Sequence, residues 1–420
     1  MALNVRPWGA TVVLLGFAES LAAIEAAWDL LNHGIAVHAF TRAGTTPPLL
    51  KDGRVTCHWV SSPERNAQGA VDDILALVES LGGPVLFPID DVSLWISNAA
   101  KSRNPGVVVA APTGELANLS LDKRQQLSIA SRAGLSVPPS LFYSPGIDGS
   151  NAASTRPDFS PPWIVKPALA VSLKDGKLVR EEAKYVTNEA DLATLLGYVN
   201  DAVIIQPMLR GVGEGVFGQA KFGAVSNWSS HRRIRMMNPS GSGSSACRSI
   251  DPDRELVQSC GRFIEAAKWT GLFMLEFLRD EQDVSWFMEL NGRAWGSLAL
   301  ASRRGFAYPT WTVMSALDAG YVVPRIVPGP HLSVRHIGRE IMHLGFVARG
   351  RHRLHRQIRQ GSAIDPSLAA YPRLGTAMRN VLWWGWRERA YNGRRGKGLV
   401  LLADTWQTFS RARQRRKEAR

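Results

Sequence analysis

The alternation of apolar and polar positions changes rhythm along the chain. An apolar strand over 11–15 is followed by Gly16 and a helical stretch over 19–32, which Gly34 stops before a second strand over 35–40. A helix over 71–80 and strands over 85–89 and 107–111 continue the strand–helix–strand order of a parallel sheet. The first turn carries Gly16 alone, without a Gly-x-Gly-x-x-Gly pattern, so no dinucleotide site is read there. Ser120 is placed to cap a helix of about four turns that Gly134 ends. Residues 144–162, rich in Pro, Ser, Gly and Asn, read as a surface loop.

Beyond that loop, short strands are expected over 163–167 and 202–206, then a glycine-broken turn over 210–215. The basic cluster His231, Arg232, Arg233 and Arg235 precedes a Ser/Gly loop over 239–245. Asp251-Pro252 opens a helix whose stripe is Leu256, Val257, Cys260, Phe263, Ile264 and Ala267, with Gly271 as its end.

Two strand-like segments, 272–278 and 285–291, flank a polar connection and predict a hairpin. Strand alternation puts Glu289 and Asn291 on one face, roughly 7 Å apart, with Trp286, Met288 and Leu290 on the other. Antiparallel pairing can set Glu276 beside Glu289. Two carboxylates and an amide oxygen on one face suit a hard cation such as magnesium; the plainer reading is a solvent-facing polar sheet. Lys166 ends an apolar strand before Pro167, where it either contacts phosphate as a point charge or lies on the surface; Lys123 has the same two readings. Gln206-Pro207-Met208-Leu209 follows a buried strand and can line an adenine pocket through its backbone. Asp90 and Asp91 either touch substrate or cap a helix; the cap is adopted, and they stand outside the candidate site.

Composition narrows the class. With 420 residues, 45% hydrophobic and 20% charged, the chain suits a folded protein of two or three domains rather than a disordered one. No apolar run approaches the ~18–20 residues that cross a bilayer, and the opening residues lack a secretory leader, so a cytoplasmic protein is the default expectation. Cys57, Cys247 and Cys260 form no metal-like pattern and read as reduced, mostly buried thiols.

The order of these elements resembles the ATP-grasp superfamily, particularly its carbamoyl-phosphate synthetase-like members and carboxylate–amine ligases. The resemblance covers about residues 10–320 and rests on Leu121-Asp-Lys123, Ile164-Val-Lys166-Pro, Ile204-Ile-Gln206-Pro-Met-Leu, the region 231–245, Phe273-Met-Leu-Glu276 and Glu289-Leu-Asn291-Gly-Arg293. It implies an α/β chain in three parts: a Rossmann-like pre-ATP-grasp domain over 1–115, a two-lobed α+β ATP-grasp domain over 116–325, and a basic, mainly helical C-terminal extension over 326–420. It also implies Mg-ATP (or Mn-ATP) as cofactor. Lys123 and Lys166 would hold the phosphates, and Gln206, Pro207 and Leu209 would line the adenine site, chiefly through backbone. Glu214 would reach the ribose, and Glu276, Glu289 and Asn291 would ligate metal. Arg293 would face the reacting group, making it and Lys166 the catalytic residues, while the Ser/Gly loop would cover the triphosphate. Pro207 departs from the charged residue that many relatives carry there. The implied activity is ligation of a small-molecule carboxylate to an amine or similar nucleophile through an acyl phosphate; the alternative is an idle ATP-binding module tethered by a basic tail.

Charge is concentrated at the end. Residues 321–420 hold 21 Arg and Lys against 5 Asp and Glu, so they account for the net charge of +14. A helical extension with a solvated basic face, its tryptophans packed on the body, is the plainer expectation. Contact with an anionic surface or an acidic carrier is the functional one.

Overall fold

The computed structural model describes residues 11–146, 155–241, 243–359 and 371–418. Part of the polar 144–162 segment (147–154) lies outside them, as do Ser242 of the Ser/Gly loop and the last residues of the basic tail.

The opening rhythm gives β1 (Val12–Gly16), α1 (Ala23–Asn32), β2 (Ala36–Arg42), β3 (Val55–Val60), α2 (Ala67–Ser80), β4 (Val85–Pro88) and α3 (Asp91–Arg103). The four strands form a parallel sheet in the order β3-β2-β1-β4. The first helix starts at Ala23 rather than at position 19, because Glu19 and Ser20 are drawn into cross-links. Thr41 Oγ1 donates to Glu19 Oε2 at 2.6 Å, and Ser20 Oγ donates to Asp90 Oδ2 at 2.5 Å. The strand expected over 107–111 is only a single bridge, Leu86 to Val109. Asp90 caps α3 in a reciprocal capping box with Ser93, as anticipated.

The helix expected from Ser120 to Gly134 is broken in two, α4 (Glu115–Leu121) and α5 (Lys123–Arg132). Asp122 is the cap instead, accepting from the Arg124 backbone N–H at 2.8 Å. The Ser120 hydroxyl accepts from the backbone N–H of Gly292 at 2.9 Å, tying the break to the sheet that follows.

The small lobe comprises β5 (Leu141–Tyr143), β6 (Trp163–Pro167), β7 (Ser172–Lys174), β8 (Lys177–Val179), β9 (Lys184–Val186), α6 (Glu189–Leu196) and β10 (Val203–Pro207). Its sheet runs β5-β10-β6-β9, with Trp163, Val165, Leu192, Leu196 and Ile205 in its own core.

The large sheet is built from β11 (Val212–Lys221), β12 (Ala224–Met236), β13 (Ser244–Ile250), α7 (Arg254–Ala266), β14 (Gly271–Arg279) and β15 (Ser285–Asn291). Two expectations need correction here. The glycine-rich 210–215 segment is largely strand, not turn. A Cβ on Gly213 would fall 2.5 Å from the Arg233 side chain, and one on Gly215 2.8 Å from Phe217, so these glycines make room for side chains crossing the strand. In β15 a bulge shifts the register between Glu276 and Phe277, so Phe287, rather than Trp286 and Met288, joins Leu290 in the core. Trp286 turns outward, and its indole donates to Asp280 at 2.7 Å.

After α8 (Leu298–Arg303) and α9 (Tyr308–Leu317), the chain returns through β16 (Ser333–Arg335), α10 (Ile337–Arg359), α11 (Leu374–Leu382), β17 (Glu388–Ala390) and α12 (Gly398–Glu418). Strands β16 and β17 complete a seven-stranded sheet in the order β15-β14-β11-β12-β13-β16-β17, so the basic extension is partly woven into the main body. One apolar core runs from Leu15 and Trp28 to Phe217, Leu272, Met274 and Trp311, fastening the first domain to this sheet. Of the tryptophans expected to pack on the body, Trp383 and Trp386 are 77% and 79% exposed, while Trp384, 41% exposed, has Arg335 over its ring. Among the described residues no helix is long and apolar enough to cross a membrane.

Candidate active site

Strands β14 and β15 pair antiparallel with Glu276 directly opposite Glu289. Asn291 projects on the same face, and its Nδ2 donates to Glu289 Oε1 at 3.1 Å. Arg233, from β12, ion-pairs with Glu276 at 2.5 Å across the intervening β11. Burial raises the Glu276 carboxyl above its ordinary value; Arg233 offsets part of that rise and Glu289 adds to it. The arrangement therefore holds two half-buried carboxylates side by side, one of them paired with the Arg233 guanidinium.

Lys166, on β6 of the small lobe, lies within electrostatic range of the same carboxylates without an ion pair to either. Burial brings its ammonium down to about 8; Glu289 and Glu276 pull the other way, and Lys123 reinforces the fall. Lys123 is the first residue of α5, where its backbone N–H donates to Ala168 O at 2.9 Å. The two lysines and two glutamates expected from sequence are thus near neighbours, although they come from different elements.

Arg293 lies just beyond β15. Its Nε donates to Asp91 Oδ1 at 2.9 Å, and Arg180 meets the other oxygen of Asp91 at 3.3 Å. Burial works against ionising Asp91, but Arg293 and Arg180 outweigh it and hold the carboxyl below its usual value. Asp91 therefore orients a residue of the site, while its neighbour Asp90 faces the cavity over Glu276 and Glu289. No local signal marked Asp91, because its partner is 202 residues away.

The remaining expected residues divide. Gln206 is buried, and its amide donates to Ser140 Oγ at 2.8 Å inside the small lobe, so its side chain turns away from the cleft. Pro207 ends β10 opposite Trp163, and the backbone N–H of Met208 donates to Pro162 O at 2.9 Å, with Leu209 just beyond. Glu214 is buried with both oxygens engaged, one by Arg232 at 2.5 Å and the other by Arg279 at 2.9 Å. Its carboxylate serves the large sheet and is not free for a sugar hydroxyl.

A cavity of about 640 Å³ opens over Glu276, Glu289, Asn291 and Arg293 and extends toward Ser20 and Asp90 of the first domain. His231 forms part of its wall. Burial, helped by Arg233, drops this imidazole to about 3, so it is neutral; Nδ1 lies 2.5 Å from Ser297 Oγ, and Nε2 has no partner. Among the described residues no group of three or more His, Cys, Asp and Glu side chains is arranged to hold a metal ion. Two carboxylates with an amide oxygen are a sparser set, of the kind that suits magnesium keeping several of its waters.

No family model and no curated protein matches the sequence. Solved structures do. Biotin carboxylase from Campylobacter jejuni, in a β,γ-ATP complex, superposes with a TM-score of 0.60 at 17% identity over 77% of this chain and 74% of that one. L-amino acid ligase from Bacillus licheniformis gives 0.58 at 13% identity over 77% and 78%. An ADP complex of N5-carboxyaminoimidazole ribonucleotide synthetase gives 0.57 at 13% identity over 83% and 86%. At 13% to 17% identity these likenesses show that the chain shares the fold of those three enzymes.

Proposed function

We propose that this protein is an ATP-dependent ligase that activates a carboxylate as an acyl phosphate and joins it to an amine or similar nucleophile. The observation that carries this reading is the pairing of Glu276 with Glu289 beside Asn291, facing the Lys166 ammonium across the lobes. Neighbouring carboxylates repel each other unless a cation lies between them. Glu276, Glu289 and Asn291 would hold magnesium or manganese, which when bound supplies charge neutralisation for the transferring phosphoryl group.

The chain's own groups take the other tasks. Lys123 and Lys166 contact the phosphates as fixed positive charges. The Pro207 and Leu209 backbone offers a carbonyl and an amide to the adenine edge. Gln206 contributes only through its backbone, because its side chain is held by Ser140. Glu214 would meet a ribose only by exchanging one of its two ion pairs.

The substrate carboxylate attacks the terminal phosphorus of ATP, and the bond to ADP breaks with its electron pair leaving on ADP. Arg293, oriented by Asp91, steadies the resulting acyl phosphate. The nucleophile's lone pair then attacks the acyl carbon, phosphate departs with the electrons of the C–O bond, and the nucleophile's proton passes to the departing phosphate. An idle nucleotide-binding module is the weaker reading, since a retired site has no need of its lysines and acidic pair.

The direct test is ADP and phosphate release across a panel of carboxylate and amine pairs. Glu289→Gln should lower turnover at least ~10²-fold, the scale of losing one preorganised charge contact. Undiminished ATP consumption by that variant with the productive pair would sink the assignment.

For the extension, the proposed partner is an anionic lipid surface. Leu374, Met378 and Leu382 form one exposed stripe on α11 that continues into exposed Trp383 and Trp386, among exposed Arg373, Arg379, Arg387 and Arg389. Apolar and indole groups flanked by cations suit the interfacial zone of such a surface.

A further inference from the structure

The cavity above the acidic pair has a far wall that the resemblance says nothing about, because it comes from residues after 325. Arg339 on α10, and Tyr391 just after β17, both line it. Arg339 is held in place on one side only, its Nη1 donating to the Ser244 carbonyl at 3.0 Å. Among the described residues it takes part in no ion pair, and Asp404 acts on it only from longer range. The nearby acid, Asp404, is bound instead by His336 at 3.1 Å and by Asn392 at 2.8 Å. Burial lowers the Arg339 pKa, as expected for a guanidinium drawn out of water without a salt-bridge partner.

Tyr391 is 3% exposed and its hydroxyl has no hydrogen-bond partner. Burial keeps that phenol well above its ordinary pKa, so it is an O–H donor at any physiological pH. The same cavity is lined by the Trp295 indole, whose N–H is also unpaired, and by Arg233, whose Nε is unpaired. Buried polar groups are nearly always satisfied, and a set of unsatisfied donors around one cavity marks where an acceptor belongs. Beside the unpaired Nε2 of His231, whose role depends on the tautomer, the unpaired groups are donors, and Arg339 adds a positive charge. A neutral or cationic ligand would leave Arg339 uncompensated; an oxyanion would satisfy it together with the phenol.

We propose that Arg339 and Tyr391 form an anion-binding subsite in this cavity, which selects a substrate carrying a second anionic group, a carboxylate or a phosphate, besides the one that reacts. This rests on the ligase reading above and narrows it to dianionic substrates. It also gives the C-terminal region a role inside the active site. Charge-assisted contacts to a buried guanidinium are among the stronger single determinants of small-molecule selectivity, since the analogue lacking the anion leaves the donors unpaired.

The test is calorimetric titration of the full-length protein, free and loaded with Mg-AMP-PNP, with three probes of one chain length. Glutarate carries two carboxylates, its monoamide carries one, and 4-phosphonobutyrate replaces one carboxylate with a phosphonate. Wild type should bind a dianion at least about tenfold more tightly than the monoamide, and the tighter dianion identifies which oxyanion the subsite prefers. Arg339→Ala should erase that preference, while Tyr391→Phe, which removes one oxygen only, should reduce it severalfold. Both variants should bind Mg-AMP-PNP as wild type does. Equal affinity for dianion and monoamide in wild type, or an unchanged preference in both variants, overturns the subsite. Failure of wild type to bind Mg-AMP-PNP counts against the ligase reading instead, and the nucleotide-free titrations still decide the subsite.

Discussion

Lys166 illustrates how a single side chain carries the account. Its ammonium is drawn down to about 8 by burial, with Glu289 and Glu276 resisting and Lys123 assisting. In the free protein it is therefore charged below pH 8 and neutral above, and only the charged form attracts phosphate. The KM for ATP should rise as pH climbs through 8 and beyond. Lys166→Arg, whose guanidinium stays protonated, should remove that rise even if its longer fork lowers kcat. A wild-type KM that is flat from pH 7 to about 9.5 would contradict this role for Lys166. Residues of this kind were legible in sequence where a short-range rule fixes them. Alternation in one strand joins Glu289 to Asn291, and a hairpin brings Glu276 alongside. The orienting role of Asp91 was not legible, because its arginine partner is 202 positions away.

Elements position these side chains, and their ends matter most. Asp122 breaks the expected single helix and starts α5, fixing Lys123 as its first residue. Ser120 is a capping type and reads as the cap from sequence, but its hydroxyl holds the Gly292 N–H, a tertiary contact that no helical rule foresees. Asp122→Ala should destabilise the protein by about 1 kcal/mol, the usual loss for a removed N-cap. Thermal denaturation reads the stability, and the KM for ATP should rise because Lys123 loses its fixed start. An unchanged melting temperature would show that the cap is not made in solution. Strand β11 was misread for a different reason. Its glycines look like turn residues locally, yet they lie mid-strand where Arg233 and Phe217 press against the backbone. Glycine signals a close approach as well as a bend, and only the packed sheet distinguishes them.

At the scale of the whole molecule, the basic extension has two faces. One enters the large sheet through β16 and β17 and supplies a wall of the cavity. The other leaves Leu382, Trp383 and Trp386 at 72%, 77% and 79% exposure. Composition exposed the charge surplus of residues 321–420, but it could not tell a packed tryptophan from a solvent-facing one, because both read as apolar. Flotation with phosphatidylglycerol vesicles should carry the protein at low salt, less so at high salt, and weakly with phosphatidylcholine. Replacing both Trp383 and Trp386 by Ala should reduce the bound fraction several-fold. Equal recovery on neutral vesicles, insensitive to salt, would count against an anionic surface as partner.

The central claim is that the acidic pair with Asn291 and the lysine across the cleft together hold a metal–nucleotide complex. Calorimetric titration with AMP-PNP, in magnesium and in EDTA, measures this most directly in wild type and in the Glu276→Gln/Glu289→Gln double variant. Wild type should bind tightly only when magnesium is present, and the double variant weakly and independently of magnesium. Equal affinity in magnesium and EDTA for both proteins would contradict it.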